Sequence, residues 1–131
     1  MSSYAFGVEL DLPFDAAVER TIAAIQAEKL GVVSDVDVGA IIQNKLGESI
    51  GGYRILGACQ PGLAKRVIQS RPDAGALLPC NVIVRQVSET RTAVDFMDPV
   101  PVLGLAADAE ADQVAAEARE ILQRVVARLQ D

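Results

Sequence analysis

The sequence predicts an α+β domain in which helices pack on one face of a largely antiparallel sheet. Segments with the two-residue period of strands alternate with segments of helical period, in the order β-α-β-α-β-α-β-β-α. Only residues 88–91 join the last two strands. A connection of this length is too short for a parallel crossover and favours an antiparallel hairpin. No linker, repeat or low-complexity run divides the 131 residues, so we expect a single domain over 1–131.

The N-terminal part of the chain predicts two strands with a helix between them. Residues 4–11 alternate as a strand does, and Pro13 opens a helix because proline fits the first helical turn. Gly31 is expected to end this helix in a left-handed conformation. Residues 32–38 place Val and Ser on one face and Val and Asp on the other, which predicts a strand with one buried side.

Further along the chain, Gly47 is expected to stop one helix, and Leu63, Val67 and Ile68 to face inward from another. The last helix carries a long apolar stripe, which indicates that it covers the sheet. In chain order we predict a helix over 40–46, a strand over 53–59, a helix over 61–69, strands over 80–87 and 92–97, and a helix over about 108–129.

The composition favours an acidic cytoplasmic protein that forms a homodimer. Hydrophobic residues make up 50% of the chain, which in so short a sequence suggests that another subunit covers part of the surface. No apolar run reaches the length of a membrane span. The N-terminus shows no basic region followed by a long apolar stretch, so we expect no signal peptide and reduced thiols.

The charge argues against nucleic acid as a partner. The net charge is −6, and the 12 Lys and Arg residues are scattered along the chain. Binding to nucleic acid needs a dense cationic surface that displaces counterions from the phosphates. We therefore expect neither a nucleic-acid partner nor a membrane partner.

The chemistry that the sequence offers is concentrated in its two cysteines, Cys59 and Cys80. Cys59 ends one predicted strand and precedes a helix that starts near Pro61, while Cys80 opens the next strand. If these strands are neighbours, both thiols lie at one end of the sheet. Two such thiols can form a reversible disulfide or bind a soft metal, but free cysteines are also common as small buried hydrophobic residues.

Three further residues are candidates for ligand binding. Asn81 follows Cys80 and, by strand alternation, points to the opposite face. Tyr53 is a candidate pocket residue, although aromatic residues so placed usually belong to a core. Asp98 precedes Pro99, where a turn residue is the common alternative.

Several familiar kinds of site are absent from the sequence. The chain contains no histidine, which excludes a Ser-His-Asp triad, a thiol–imidazole pair and a histidine metal site. A structural zinc site is also not expected from this sequence, because it would need four ligands and the chain has two cysteines and no histidine. The glycines around Gly51 lack the Gly-Lys-Ser/Thr ending of a phosphate-binding loop. We therefore expect no cofactor.

Several segments together resemble the domain of unknown function 302 family. They are the strand Tyr53–Cys59 (YRILGAC), Pro61, the stretch Leu77–Val82 (LLPCNV) and the pair Asp98-Pro99. The resemblance extends from the helix start at Pro13 to the C-terminal helix. It implies an α+β fold similar to the TATA-binding-protein-like (TBP-like) class, usually a homodimer, and no established activity. Members often lie near functions of sulfur metabolism and thiol transfer.

Three functional hypotheses follow, and the sequence leans toward a protein that is not an enzyme. The first is a module that binds a small ligand, a thiol-linked species or a soft metal in a cleft near Cys59, Cys80 and Asn81. The second is an enzyme of thiol or persulfide transfer, in which Cys59 carries sulfur and Cys80 resolves it. The third is a structural or interaction dimer whose cysteines belong to the core.

Overall fold

The computed structural model describes residues 2–131, which form one five-stranded sheet and its helices. The predicted α+β class and the β-α-β-α-β-α-β-β-α order are confirmed, with two additions: a 3₁₀ helix before the fourth strand and a short helix before the last one. The elements are β1 Ala5–Leu10, α1 Phe14–Ala27, β2 Gly31–Asp37, α2 Val38–Leu46, β3 Tyr53–Cys59, α3 Pro61–Ser70, a 3₁₀ helix Pro72–Leu77, β4 Cys80–Gln86, β5 Thr92–Met97, α4 Pro99–Gly104 and α5 Ala109–Leu129.

The sheet is antiparallel throughout, in the strand order β1-β5-β4-β3-β2. The predicted hairpin of β4 and β5 is present, and the backbone N–H of Val87 closes it by donating to the carbonyl of Arg91 at 3.0 Å. The N-terminal strand β1 lies at one edge beside β5, and β2 forms the other edge. The strands that carry the two cysteines, β3 and β4, are therefore interior neighbours.

One face of the sheet, which we call the closed face, lies under α1 and α5. Its β4 residues Val82 and Val84 are fully buried. The opposite face, the open face, carries Asn81, Ile83 and Arg85 from the same strand, and these residues are exposed or half-buried. The main core under the helices contains Leu10, Ala17, Val18, Ala24, Ile25, Leu30, Leu56, Ala58, Val82, Val84, Val94, Phe96, Leu122, Val125 and Leu129.

A second, smaller core lies where α3, α4 and the 3₁₀ helix pack around the first half of α5. Its centre is Val67 of α3, Leu103 of α4 and Val114 of α5, all nearly inaccessible to water. Arg66 joins α3 to α5 from outside this core, because its guanidinium donates to Glu110 at 2.6 Å and to Glu117 at 2.8 Å. The long helix α5 therefore contributes residues to both cores.

The predicted end of the first helix is wrong. The helix ends at Ala27, and Lys29 rather than Gly31 takes the left-handed conformation, with a φ of 62°. Gly31 is instead the first residue of β2. The earlier turn places Leu30 in the main core, where it is 8% exposed.

The prediction that β2 has one buried side is also wrong. Neither predicted face is buried, because β2 is an edge strand. On one face Ser34 is exposed and Val36 is 44% exposed, and on the other Val33 is 60% exposed. A β-bulge between Val32 and Ser34 breaks the alternation on which the prediction rested. In α3, Val67 faces inward as predicted, but Ile68 is 44% exposed.

Candidate functional site

Strand pairing brings the two cysteines to the same end of the sheet. Cys59 ends β3 and Cys80 begins β4, and Ala58 lies directly opposite Cys80 in the antiparallel register. The two strands are neighbours, which is the condition under which the sequence places both thiols at one end of the sheet. Both cysteines are free thiols and both are half-buried.

The turn after Cys59 is held by a helix cap that the sequence analysis missed. Gln60 is the N-cap of α3, and its side-chain oxygen accepts a hydrogen bond from the backbone N–H of Leu63 at 2.7 Å. Pro61 occupies the first helical position, where no N–H is needed. One of the backbone N–H groups at the start of α3, the helix end that follows Cys59, is therefore already occupied. Glutamine is not among the preferred N-cap residues, so the sequence signals the start of α3 only through Pro61.

The cysteines line a cavity of about 40 Å³ at the junction of the two cores. Leu30 and Leu122 reach it from the main core, and Leu103 and Val114 from the second core. The bond from Leu78 to Pro79, just before Cys80, is a cis peptide. The full lining is Leu30, Ala58, Cys59, Gln60, Leu63, Ala64, Leu78, Pro79, Cys80, Leu103, Val114, Ala118 and Leu122.

No charged side chain lines this cavity, and its surroundings hold a proton on one of the thiols. Burial, together with the nearby charge of Cys59, raises the pKa of the Cys80 thiol from 9.0 to about 11. Burial has this effect because a thiolate loses its hydration in an apolar environment. At neutral pH Cys80 is a neutral thiol and a weak nucleophile.

Two of the predicted ligand-binding residues lie away from the cavity, on the open face. Asn81 pairs with Gly57 and is exposed on the side of the sheet opposite Cys80, as strand alternation predicts. Tyr53 begins β3, at the other end of the strand from Cys59, and lies opposite Arg85. Neither Asn81 nor Tyr53 lines the cavity that the two cysteines line.

Asp98 has a structural environment at the start of α4. Its carboxylate accepts a hydrogen bond from the backbone N–H of Val100 at 3.0 Å, which caps the helix. The same carboxylate lies 3.2 Å from the guanidinium of Arg119 on α5. Asp98, a ligand-binding candidate with a turn residue as its alternative, is thus the N-cap of a helix that the sequence did not predict.

The other carboxylates near the strands are also engaged within the fold. Asp35 forms an ion pair with Arg54 across β2 and β3. Asp37 caps α2 by accepting from the N–H of Ala40 at 2.9 Å. Asp95 accepts from Nε of Arg85 at 2.6 Å. Each carboxylate thus has a partner that accounts for its position.

Residues 2–131 contain no cluster of three or more Cys, Asp or Glu side chains placed to hold a metal ion. None of the helices described here combines the length and the apolar character that a membrane crossing requires.

The family model for the domain of unknown function DUF302 matches residues 6–129. The chain belongs to the DUF302 family. A crystal structure of an uncharacterized conserved DUF302 protein from Bacillus stearothermophilus has a similar fold, with a TM-score of 0.87 and 23% sequence identity. The match covers 98% of this chain and 99% of that chain. Among curated proteins, none matches significantly. The predicted family and fold class are confirmed, and neither comparison assigns an activity.

Proposed function

We propose that this DUF302 protein is a binding module that holds a small neutral ligand in the cavity beside Cys59 and Cys80, with Cys59 as the attachment point for a thiol-linked species. The observation that carries the proposal is that the only two cysteines of the chain line one apolar cavity. Free thiols are stable in a reducing compartment, so we propose the cytoplasm as the site of action.

The lining of the cavity defines the kind of ligand. A lining without charged side chains gives an anion or a hydrated cation nothing to replace its water, so entry of an ion would cost free energy. A volume of about 40 Å³ accepts a group of only a few non-hydrogen atoms. The side chain of Gln60 reaches the cavity but is already bonded to the helix backbone.

The state of Cys80 favours binding over sulfur transfer. In a transfer mechanism, Cys59 would attack the outer sulfur of a persulfide, the donor thiolate would leave, and Cys80 would then act as the second nucleophile. A pKa of about 11 leaves Cys80 almost entirely protonated at neutral pH. Its thiol therefore suits packing against a ligand better than attack on an adduct.

The test is exchange with 2-hydroxyethyl disulfide, read by intact-protein and peptide mass spectrometry. The Cys59 thiolate attacks one sulfur, the S–S bond of the reagent breaks, and 2-mercaptoethanol leaves. We expect a single adduct on Cys59 of the native protein and none on Cys80. Cys59→Ser should abolish the adduct and Cys80→Ser should retain it, with both variants folded by circular dichroism.

Ala118→Leu supplies the matched control, since it fills the cavity and leaves both cysteines in place. Slower adduct formation in Ala118→Leu would show that the reagent occupies the cavity. If both thiols stay unreactive until the protein is denatured, the cysteines are core residues, and the structural hypothesis replaces this one.

A further inference from the structure

The open face of the sheet is a continuous surface that the strand register defines. Its middle row crosses the sheet through Ile55, Ile83, Asp95 and Gly7. A parallel row next to it passes through Tyr53, Arg85, Ala93 and Glu9. A shallow depression of about 550 Å³ lies over these rows, and Tyr4, Tyr53 and Ile83 are among the residues that line it.

This face is apolar at its centre although it is open to water. Ile55, Ile83 and Tyr53 are only half-buried, and Val36 at its rim is 44% exposed. Clustered apolar side chains of this kind on a monomer are typical of a surface that another molecule covers.

The charged groups on this face indicate which molecule that is. Nε of Arg85 donates to Oδ2 of Asp95 at 2.6 Å, with side-chain exposures of 46% and 30%. Within residues 2–131, the terminal nitrogens of Arg85 and Oδ1 of Asp95 make no hydrogen bond. The terminal nitrogens of Arg85 and Oδ1 of Asp95 are therefore available to a partner. Such a partner would place a carboxylate opposite Arg85 and a guanidinium opposite Asp95.

A second copy of this chain carries that reversed pattern. Two copies can pack with their open faces together, related by a two-fold axis that runs parallel to the sheet and passes midway between Arg85 and Asp95. This axis places the arginine of each copy above the aspartate of the other copy. Such an isologous contact uses the same surface twice. We propose that the protein dimerises through its open face, with Arg85 of each subunit bonded to Asp95 of the partner subunit.

The extent of the face is close to what a stable interface needs. Five strands at about 4.8 Å spacing and six residues at about 3.3 Å rise give a plane of about 24 by 20 Å. Side chains corrugate this plane, so its accessible area exceeds about 480 Å². Stable interfaces begin at about 600 Å² per partner, and two sheets stack in this way in β-sandwiches.

The edge strand β2 is the competing surface, and its geometry opposes pairing with a second copy. The bulge between Val32 and Ser34 interrupts the row of backbone groups that an added strand would need. Bulges on edge strands commonly block such pairing. Val33, which lies at the bulge and is 60% exposed, therefore serves as a matched control position.

The first test is sedimentation equilibrium of the full chain and of two variants. We expect the wild type at twice 13.8 kDa. Ile83→Asp on the open face should halve that mass, and Val33→Asp at the edge should leave it unchanged, with circular dichroism confirming that both are folded. A monomeric wild type, a dimeric Ile83→Asp or a monomeric Val33→Asp would overturn the proposal.

The second test separates pairing between subunits from pairing within one chain. Arg85→Asp places Asp against Asp in a homodimer, and Asp95→Arg places Arg against Arg, so each variant alone should be monomeric. Mixing the two restores both intersubunit pairs and should give a 1:1 heterodimer of wild-type mass. A mixture that stays monomeric, or single variants that remain dimeric, would show that Arg85 and Asp95 do not meet across the interface.

Discussion

The two faces of the sheet carry different chemistry although they are built from the same five strands. On the closed face, Cys80, Val82 and Val84 of β4 lie under α1 and α5, and even the one ionisable group among them keeps its proton. On the open face, Asn81 and Arg85 of the same strand remain in contact with water. Coverage by the helices therefore determines whether a residue of β4 is buried or stays in contact with water.

The largest effect should come from placing the same charge on each face in turn. Val82→Asp buries a carboxylate with no partner and should cost about 4 kcal/mol or more, enough to unfold many domains. Ile83→Asp, one residue further, should keep the fold because its carboxylate stays in contact with water. Urea denaturation followed by circular dichroism measures both, and equal losses would remove the distinction between the faces.

Titration of Cys80 should sharpen the description of the closed face. Its pKa is about 11 in the folded protein against an ordinary value of 9.0, so the folded state binds the proton more tightly than the unfolded chain does. The free energy of unfolding should therefore fall between pH 9 and 11, by about 3 kcal/mol at 1.36 kcal/mol per unit. Cys80→Ala should lack this part of the decline, and parallel pH curves for the two proteins would argue against a buried neutral thiol.

Gly7 tests whether the open face tolerates change as freely as its exposure suggests. A methyl group there would overlap the carbonyl oxygen of Val94 and lie 2.9 Å from Oδ1 of Asp95. Gly7→Ala should therefore destabilise the protein by about 1–2 kcal/mol. Gly104→Ala, with no atom within 4 Å of the added methyl, is the control and should change the midpoint of thermal unfolding little.

The smallest effect on stability should come from a change at Glu28, which joins the end of α1 to α5 and lies on neither face of the sheet. Its pKa is lowered by hydrogen bonds from Arg124 and then Arg128, at 2.8 and 2.6 Å. A lowered pKa contributes stability above the ordinary value of 4.5 that is lost as the pH falls through the folded value. Glu28→Gln should therefore be less stable than the wild type at pH 7 and indistinguishable from it in acid. Thermal unfolding of both proteins at several pH values measures the difference, and a gap that persists in acid would contradict this role.

The fold was largely predictable from the sequence because most elements have strong local signals. The strand over 92–97 and the helix stop at Gly47, which has a φ of 69°, are examples that the structure confirms. The errors fall where tertiary context decides. The bulge at Val33 reverses the alternation of β2, and the burial of Leu30 moves the helix end away from Gly31.

The candidate site was predictable only in part. Strand order could place Cys59 and Cys80 at one end of the sheet and Asn81 on the other face. The cavity could not be predicted, because its walls come from two cores that meet only when α5 packs against both. Tyr53 shares a strand with Cys59, but the length of that strand separates the two residues.

The position of β1 has a consequence for synthesis of the chain on the ribosome. β1 is made first, yet its neighbour in the sheet is β5, and the ion pair that joins them, from Glu9 to Arg91, spans 82 positions. The other four strands can pair with partners closer in sequence, while β1 must wait until β5 has left the exit tunnel. Such distant pairing slows folding, so the strand of this sheet that is translated before the other four is among the last to enter it.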